Sequence, residues 1–302
     1  MSVVELESRE IELEAPVGLW SDAWRRLRRN PGAIVGFLFV LTFVVAAAFA
    51  PLIAPYDPLE QNLLLVANGC CPGPSGDHWF GVDLLGRDMF SRIIYGARFS
   101  LVIGVVSVAI GLSVGLVLGA IAGYVGGVVD STIMRLMDVM LAIPGLLFAI
   151  GIVAVLGPSL FHIMIAVGVV NIPIFARLLR GSILAQKEQD FVVAARAVGV
   201  RRRSILASHI VPNAISPVIV QGTLALATAI IDVAGLGFLG LGPQDPSTPE
   251  WGTMLTDVNE YLQTAPFLAI IPGLAIVFSV LGFNLIGDGL REALDPKLRG
   301  RV

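Results

Sequence analysis

The sequence predicts an all-α polytopic membrane protein with six transmembrane helices and cytoplasmic N and C termini. Three observations carry that reading: a deficit of charge, a series of long apolar runs, and a one-sided placement of Lys and Arg. Of the 302 residues, 56% are hydrophobic and only 14% are charged, against roughly half and about a quarter in an ordinary soluble domain. Mean hydropathy is +0.84. Two cysteines and a net charge of −3 exclude a disulfide scaffold and a nucleic-acid binder.

A helix needs about 20 mostly apolar residues to cross about 30 Å of hydrocarbon. Six stretches qualify: 33–53, 100–124, 136–156, 161–175, 215–241 and 267–286. The fourth is short unless it extends toward Pro158 and Arg177. Ala48-Phe49-Ala50 resembles a small-residue cleavage site at the end of the first run. That run is long for a signal peptide, five glutamates lie among the first fourteen residues, and Pro51 follows the would-be cut. The first run therefore reads as an uncleaved anchor.

Orientation follows from the cations. Arg9, Arg25, Arg26, Arg28 and Arg29 precede the first run, and Arg135 lies at the start of the third. Arg177, Arg180, Lys187, Arg196, Arg201, Arg202 and Arg203 separate the fourth and fifth, and Arg291, Lys297, Arg299 and Arg301 close the chain. With both ends inside, 17 of the 20 cations are cytoplasmic, and only Arg87, Arg92 and Arg98 are outside.

Residues 1–30 form a cytoplasmic tail ahead of a transmembrane domain, 31–302. In segment 19–29 a helix puts Leu19, Trp20, Ala23, Trp24 and Leu27 on one face and arginines around the other, the pattern of a helix lying in the headgroup layer.

Several chemistries are absent. A nucleotide-binding P-loop needs Gly-Lys-Ser/Thr, but Lys187 follows Gln186 and Lys297 follows Pro296. This chain therefore does not hydrolyse ATP by that route. His78, His162 and His209 lack metal-ligand spacing, and no metal site or catalytic residue is expected. Cys70 and Cys71 are adjacent in the first outer loop, and two readings stand: free thiols in a turn, or a disulfide, either vicinal or to a partner.

The segment 177–213 is too long and too patterned for a simple connector. It predicts a helix over 191–198, a break at Gly199 with positive φ, and a second helix begun by Arg201, Arg202 and Arg203 and leading into Pro212. Ala194 and Ala195 are small enough for another protein surface to approach the backbone. A re-entrant hairpin packed on its own bundle is the alternative.

Val193-Ala194-Ala195, Arg196, Gly199 and His209-Ile210-Val211-Pro212-Asn213 resemble the EAA loop of ABC importer permeases, here about 178–213. Val193 stands where the family usually has glutamate, so no ion pair is implied there. The segment from Gly81 to Asp88 (GVDLLGRD), with Ser91-Arg92 and Tyr95-Gly96, is similar to the GTD-x-x-GRD segment of dipeptide/oligopeptide/nickel permeases, with Val82 in place of threonine. Phe238-Leu239-Gly240-Leu241-Gly242, Trp251-Gly252-Thr253-Met254-Leu255 and the tail from Phe283 to Arg291 with Leu294-Asp295-Pro296 also match. The chain looks like a C-type permease of that family, in motif order from Arg25 to the end.

The resemblance implies the type I importer permease fold in the bacterial plasma (inner) membrane. It implies a pathway shared with a second homologous permease, two ABC ATPase subunits or domains docked on the loop's coupling helices, and an extracytoplasmic solute-binding protein. Di- and oligopeptides are the family's leading solutes. No cofactor is bound by this chain, ATP and Mg being used by the partner ATPases.

An ionisable group inside the bilayer is a functional candidate by default. Asp232, in the fifth run with Gly235 and Gly237 nearby, is read in three ways: as lining the pathway, as pairing with the other permease, or as hydrogen-bonding a neighbouring helix. The family's acidic residue falls one position later, so no role is carried over. Asn171, in the fourth run, is a pathway candidate or a cross-helix hydrogen bond. Arg135 and Asp138 read as a structural pair, with Asp130 just before them.

Met89, Phe90, Ile93 and Ile94 read as one face of a helix at the outer interface. In the outer loop 242–265, Trp251 either anchors the binding protein or packs on the bundle. The competing function is a proton-coupled secondary transporter working through Asp232, which the long patterned loop and the lack of an inverted repeat disfavour.

Overall fold

The computed structural model describes residues 19–67, 69–243, 245, 247–256 and 258–294. Nine principal helices make up the described chain: α1 (Leu19–Leu27), α2 (Pro31–Ala48), α3 (Met89–Val125), α4 (Gly127–Ala142), α5 (Gly145–Leu156), α6 (Leu160–Lys187), α7 (Asp190–Ala197), α8 (Ser216–Leu236) and α9 (Phe267–Leu294). Five of them, α2, α3, α6, α8 and α9, are each long and apolar enough to cross a bilayer. The pair α4 and α5, bent by 91°, makes a sixth when the two are counted as one broken span. The bend falls at Ile143-Pro144: proline lacks the amide a helix needs, and it forces the preceding residue out of helical geometry. Ile143 is accordingly extended, at φ −94° and ψ 128°.

The helix ends are set by local chemistry. Asn30 Oδ1 accepts from the Ala33 amide at 3.0 Å, with Pro31 at the first helical position of α2. Asp88 caps α3 through the Ser91 amide at 2.7 Å, and Ser159 caps α6 through the His162 amide at 3.2 Å. Gly126 and Gly127, at φ 74° and 60°, separate α3 from α4.

Four boundaries differ from the apolar runs, because hydropathy marks bilayer depth and a helix is free to continue past it. α3 begins at Met89, so the helix expected separately at the outer interface is its first turns, with Met89 and Ile93 buried. The helix of the third run starts at Gly127 and breaks at Ile143-Pro144. α6 runs on through Arg177 and Arg180 to Lys187 across Pro173, so the cytoplasmic loop starts about ten residues later than expected. α9 runs to Leu294, and Asp295-Pro296 lie outside the described residues.

Glycines set the closest helix approaches. Gly111, Gly115, Gly119 and Gly123 recur every fourth residue and form one stripe of α3 against α6. A Cβ at Gly115 would lie 2.7 Å from the Phe175 Cβ, and one at Gly119 only 2.5 Å from the Ala176 carbonyl oxygen. α2 and α9 meet in the same way, where a Cβ at Gly36 would lie 2.7 Å from the Gly282 oxygen. Phe175, Leu179, Ile183, Val218 and Leu236 form part of the buried core, while Phe37, Leu38, Val139 and Leu147 point outward. Such an apolar exterior is what a bilayer solvates.

α1 lies against α9, with Ala23 buried and a Leu27 methyl 3.3 Å from where a Gly289 Cβ would stand. Asn30 Nδ2 donates to Glu292 Oε2 at 2.6 Å, fixing the same corner. Trp24 is exposed, with the Arg28 guanidinium 4.8 Å above its ring. The segment 19–29 thus contains a helix, with Ala23 and Leu27 turned to α9, and the side chains of Leu19 and Trp20 lie outside the described residues.

Candidate functional site

The cytoplasmic loop folds as a clamp on the end of α6. α7 buries Val192 and Ala195, three residues apart, and leaves Val193, Ala194, Arg196, Ala197 and Val198 exposed. Ala195 therefore seats the helix on its own bundle and is not open to a partner, unlike Ala194. The chain then reverses at Gly199, whose φ of +80° is the left-handed value predicted. A second helical segment, 202–214, is wound more widely over Leu206–Ile210. Pro212 explains this, since its ring excludes the regular bond to the carbonyl four residues back. Ile205, Ile210 and Ala214 are buried in the same cluster as Val192, Ala195, Leu179 and Ile183. Arg201, Arg202 and Arg203, just after the reversal, are exposed.

Polar ties join this clamp to the ends of α3 and α4. Tyr124 Oη donates to the Arg202 carbonyl at 2.7 Å. Lys187 Nζ donates to the Gly123 and Tyr124 carbonyls at 3.2 and 3.1 Å, matching a cation to the negative end of α3. Arg180 forms a two-pronged pair with Asp130, its Nη2 2.6 Å from Oδ2. Arg177 pairs with Asp138. Both carboxylates of α4 thus reach across to α6, so the expected Arg135–Asp138 pairing is replaced by these longer-range bridges.

The two intramembrane candidates separate. Asn171 is buried, and its Nδ2 donates to the Val167 carbonyl of its own helix at 2.8 Å. It makes no cross-helix bond to α3, where its Cβ packs beside Gly111. Asp232, next to exposed Ile231 on α8, is half-buried and makes no hydrogen bond or ion pair among the described residues. The bond to a neighbouring helix, one of its three readings, is not formed.

On the outer side, Trp251 is fully buried. Its Nε1 donates to the Ile93 carbonyl at 3.1 Å, and its ring meets Phe43 edge-on at 5.3 Å. It packs on the bundle, so the anchor reading is corrected. Its neighbour Glu250 is 1% exposed. Burial raises its pKa above the ordinary range, against the lowering effect of bonds from the Gly252 amide (2.8 Å), the Thr253 amide (2.9 Å) and the Ser100 hydroxyl (3.4 Å).

The loop 81–88 is a second polar structure whose role sequence reasoning left unread. Asp83 accepts from the Leu85 and Arg87 amides at 2.9 Å each and pairs with Arg87 Nε at 2.7 Å. Asp88 holds His78 Nδ1 at 2.9 Å while capping α3. Cys70 and Cys71 lie beside the Trp251 cluster, joined as a vicinal disulfide.

A helical bundle with five long apolar helices and a patterned, arginine-rich loop on one side has the architecture of an integral membrane protein. The comparisons specify it. Residues 115–300 match the family of binding-protein-dependent transport system inner membrane components, and residues 18–68 match the N-terminal transmembrane domain of oligopeptide transport permease C. The chain belongs to this family, the permeases of peptide/nickel-type ABC importers.

It is 48% identical over 283 residues to a dipeptide transport system permease protein of Alkalihalophilus pseudofirmus, covering 94% of this chain and 91% of that one. It is 51% identical over 281 residues to a glutathione transport system permease protein of Shigella flexneri, covering 93% and 91%. An inward-facing structure of the MetNI methionine ABC transporter shares the fold, with TM-score 0.56 and 18% identity over 68% of this chain and 97% of that one. The protein is thus a multi-pass inner-membrane permease, and in its family ATP hydrolysis lies in separate subunits. The proton-coupled alternative finds no support among these relatives.

Proposed function

We propose that this chain and a second homologous permease form the pathway of an importer for di- and oligopeptides. Two ABC ATPase subunits or domains bind the cytoplasmic loop, and an extracytoplasmic binding protein delivers the solute. The observation that supports this best is the two-sidedness of the loop. Val192, Ala195, Ile205 and Ile210 hold it rigidly to α6, while Val193, Ala194, Arg196, Gly199, Arg201, Arg202 and Arg203 face outward. A helix fixed on one side and open on the other transmits a push from a docked subunit instead of absorbing it.

Closure of the ATPases on ATP and Mg then moves α7 and, through Tyr124, Lys187 and the α4–α6 ion pairs, rocks the spans as rigid bodies. Asp232 lines the pathway, where its carboxylate suits a peptide's amino group. The peptide solute follows from the relatives named for dipeptide and glutathione transport. Reconstitution with the ATPases and binding protein tests the proposal. ATP-dependent uptake of dipeptides supports it, and uptake driven by a proton gradient without ATP overturns it.

A further inference from the structure

The loop 81–88, the first turn of α3, residues 253–256 with Val258, and the start of α9 enclose a recess of about 280 Å³ at the outer end of the bundle. This is close to the small end of small-molecule pockets, about 300–1,000 Å³. It lies at the end of α3 opposite Lys187 and Arg202, on the side from which an importer's solute arrives.

The lining of the recess combines cationic and apolar side chains. Among the described residues Asp83 is the carboxylate that lines it, and it faces two guanidinium groups: Arg87 Nε at 2.7 Å and Arg92 Nε at 3.4 Å. Both Asp83 oxygens are already engaged by the Leu85 and Arg87 amides and by Arg87 Nε. Arg92 is only 6% exposed, and its Nε and Nη1 have no hydrogen-bond partner among the described residues.

A guanidinium carries five donors in a planar fork that fits a carboxylate, so one shared aspartate leaves most of that capacity unused. The Thr253 and Thr256 hydroxyls in the lining donate elsewhere, to the Glu250 carbonyl at 2.7 Å and the Gly237 carbonyl at 3.0 Å. An anion here is therefore held by the arginines. The rest of the lining is apolar: Leu84, Met89, Met254, Val258 and Leu268, with the more exposed Leu85.

We propose that this recess binds the C-terminal residue of a short peptide, its carboxylate on Arg92 and Arg87 and its apolar side chain against Met89, Met254 and Leu268. The inference rests on the peptide reading above and adds a solute subsite on the permease itself. A lone acidic side chain of a docking protein would use the arginines and leave the apolar lining unfilled, which is why a free carboxy-terminal residue fits better.

The test uses the complete transporter in nanodiscs without binding protein, and equilibrium binding of radiolabelled glycyl-leucine and glycyl-leucinamide. The expected result is binding of glycyl-leucine, with a loss of about tenfold or more for the amide and for Arg92→Gln, as for removal of a charge-assisted pair. Arg92→Lys should retain part of the affinity. Met254→Trp, which fills the recess and leaves the ion pairs intact, should abolish binding and keeps the test valid if Arg92→Gln fails to fold.

Equal binding of peptide and amide, wild-type affinity in the Met254→Trp protein, or no binding to the wild type at about 10 mM overturns the subsite. So does a wild type that binds no peptide while Arg92→Gln weakens docking of the binding protein, which would give the arginines to a protein partner. Uptake of glycyl-leucine by the full system separates the two levels. Uptake without binding here removes only the subsite, whereas no uptake of any peptide removes the peptide reading itself.

Discussion

Tyr124, the last residue but one of α3, donates its hydroxyl to the backbone carbonyl of Arg202 at 2.7 Å, joining the longest span to the cytoplasmic loop. The acceptor is a main-chain atom, so the tie follows the loop's position whatever the side chain at 202. Together with Lys187 on the Gly123 and Tyr124 carbonyls, it makes the end of α3 move with the loop.

Tyr124→Phe removes only the hydroxyl and keeps the ring beside Lys187. One hydrogen bond is worth about 0.5–1.5 kcal/mol. The variant should assemble normally and show solute-stimulated ATP hydrolysis reduced a few-fold in proteoliposomes. Unchanged stimulation would mean that the tie carries no motion.

The glycine stripe gives a packing prediction. Gly119→Val would bring a Cβ within 2.5 Å of the Ala176 carbonyl oxygen and should cost at least about 1–3 kcal/mol, read as a lower melting temperature in detergent. Gly151→Ala, with no atom within 4 Å of the added Cβ, should be neutral or slightly stabilising. Equal effects at the two sites would show that close helix contact is not the reason for glycine at 119.

Glu250 supplies a pH dependence. Its pKa is raised by burial, so the folded state holds the proton to higher pH than the unfolded chain does. Its contribution to stability is therefore fullest below about pH 4.5, the ordinary glutamate value, and is lost as pH rises from there through the raised folded pKa. Glu250→Gln removes this titration but turns an amide toward the Thr253 or Gly252 N–H, so it is less stable at low pH. The melting-temperature gap between wild type and variant should narrow as pH rises. A gap that widens would mean a depressed pKa.

Asp232 gives a transport prediction. Asp232→Asn keeps the shape and removes the charge. On the pathway reading it should lower peptide uptake several-fold while leaving assembly and basal ATP hydrolysis intact. Loss of assembly with the second permease would instead make it an interface residue.

These predictions draw on features that were unequally legible in the sequence. The five long spanning helices, the reversal at Gly199 and the second helical segment of the loop are visible because apolar runs and glycine act locally. The extension of α6 to Lys187 was hidden because Arg177 and Arg180 look like the end of a span, whereas in the fold they reach Asp138 and Asp130 on α4. The spacing of Gly111, Gly115, Gly119 and Gly123 was on the page and marks the α3–α6 contact. Trp251 and Ala195 depend on what lies opposite them, which no local pattern encodes. Both turned inward, to Ile93 and Phe43 in one case and to the core under α7 in the other. The loop 81–88 lay within a recognised motif, but the sharing of Asp83 between Arg87 and Arg92 is a three-dimensional fact.

The claim that the outward face of α7 is where the ATPases bind is tested most directly by Ala194→Trp, set against Ala195→Trp. Ala194 is exposed and Ala195 is buried under the same helix. In the complete transporter, Ala194→Trp should leave the permease's melting temperature unchanged yet abolish co-purification of the ATPases and ATP-driven uptake, while Ala195→Trp should lower the melting temperature. Normal association and uptake in the Ala194→Trp transporter would contradict the account.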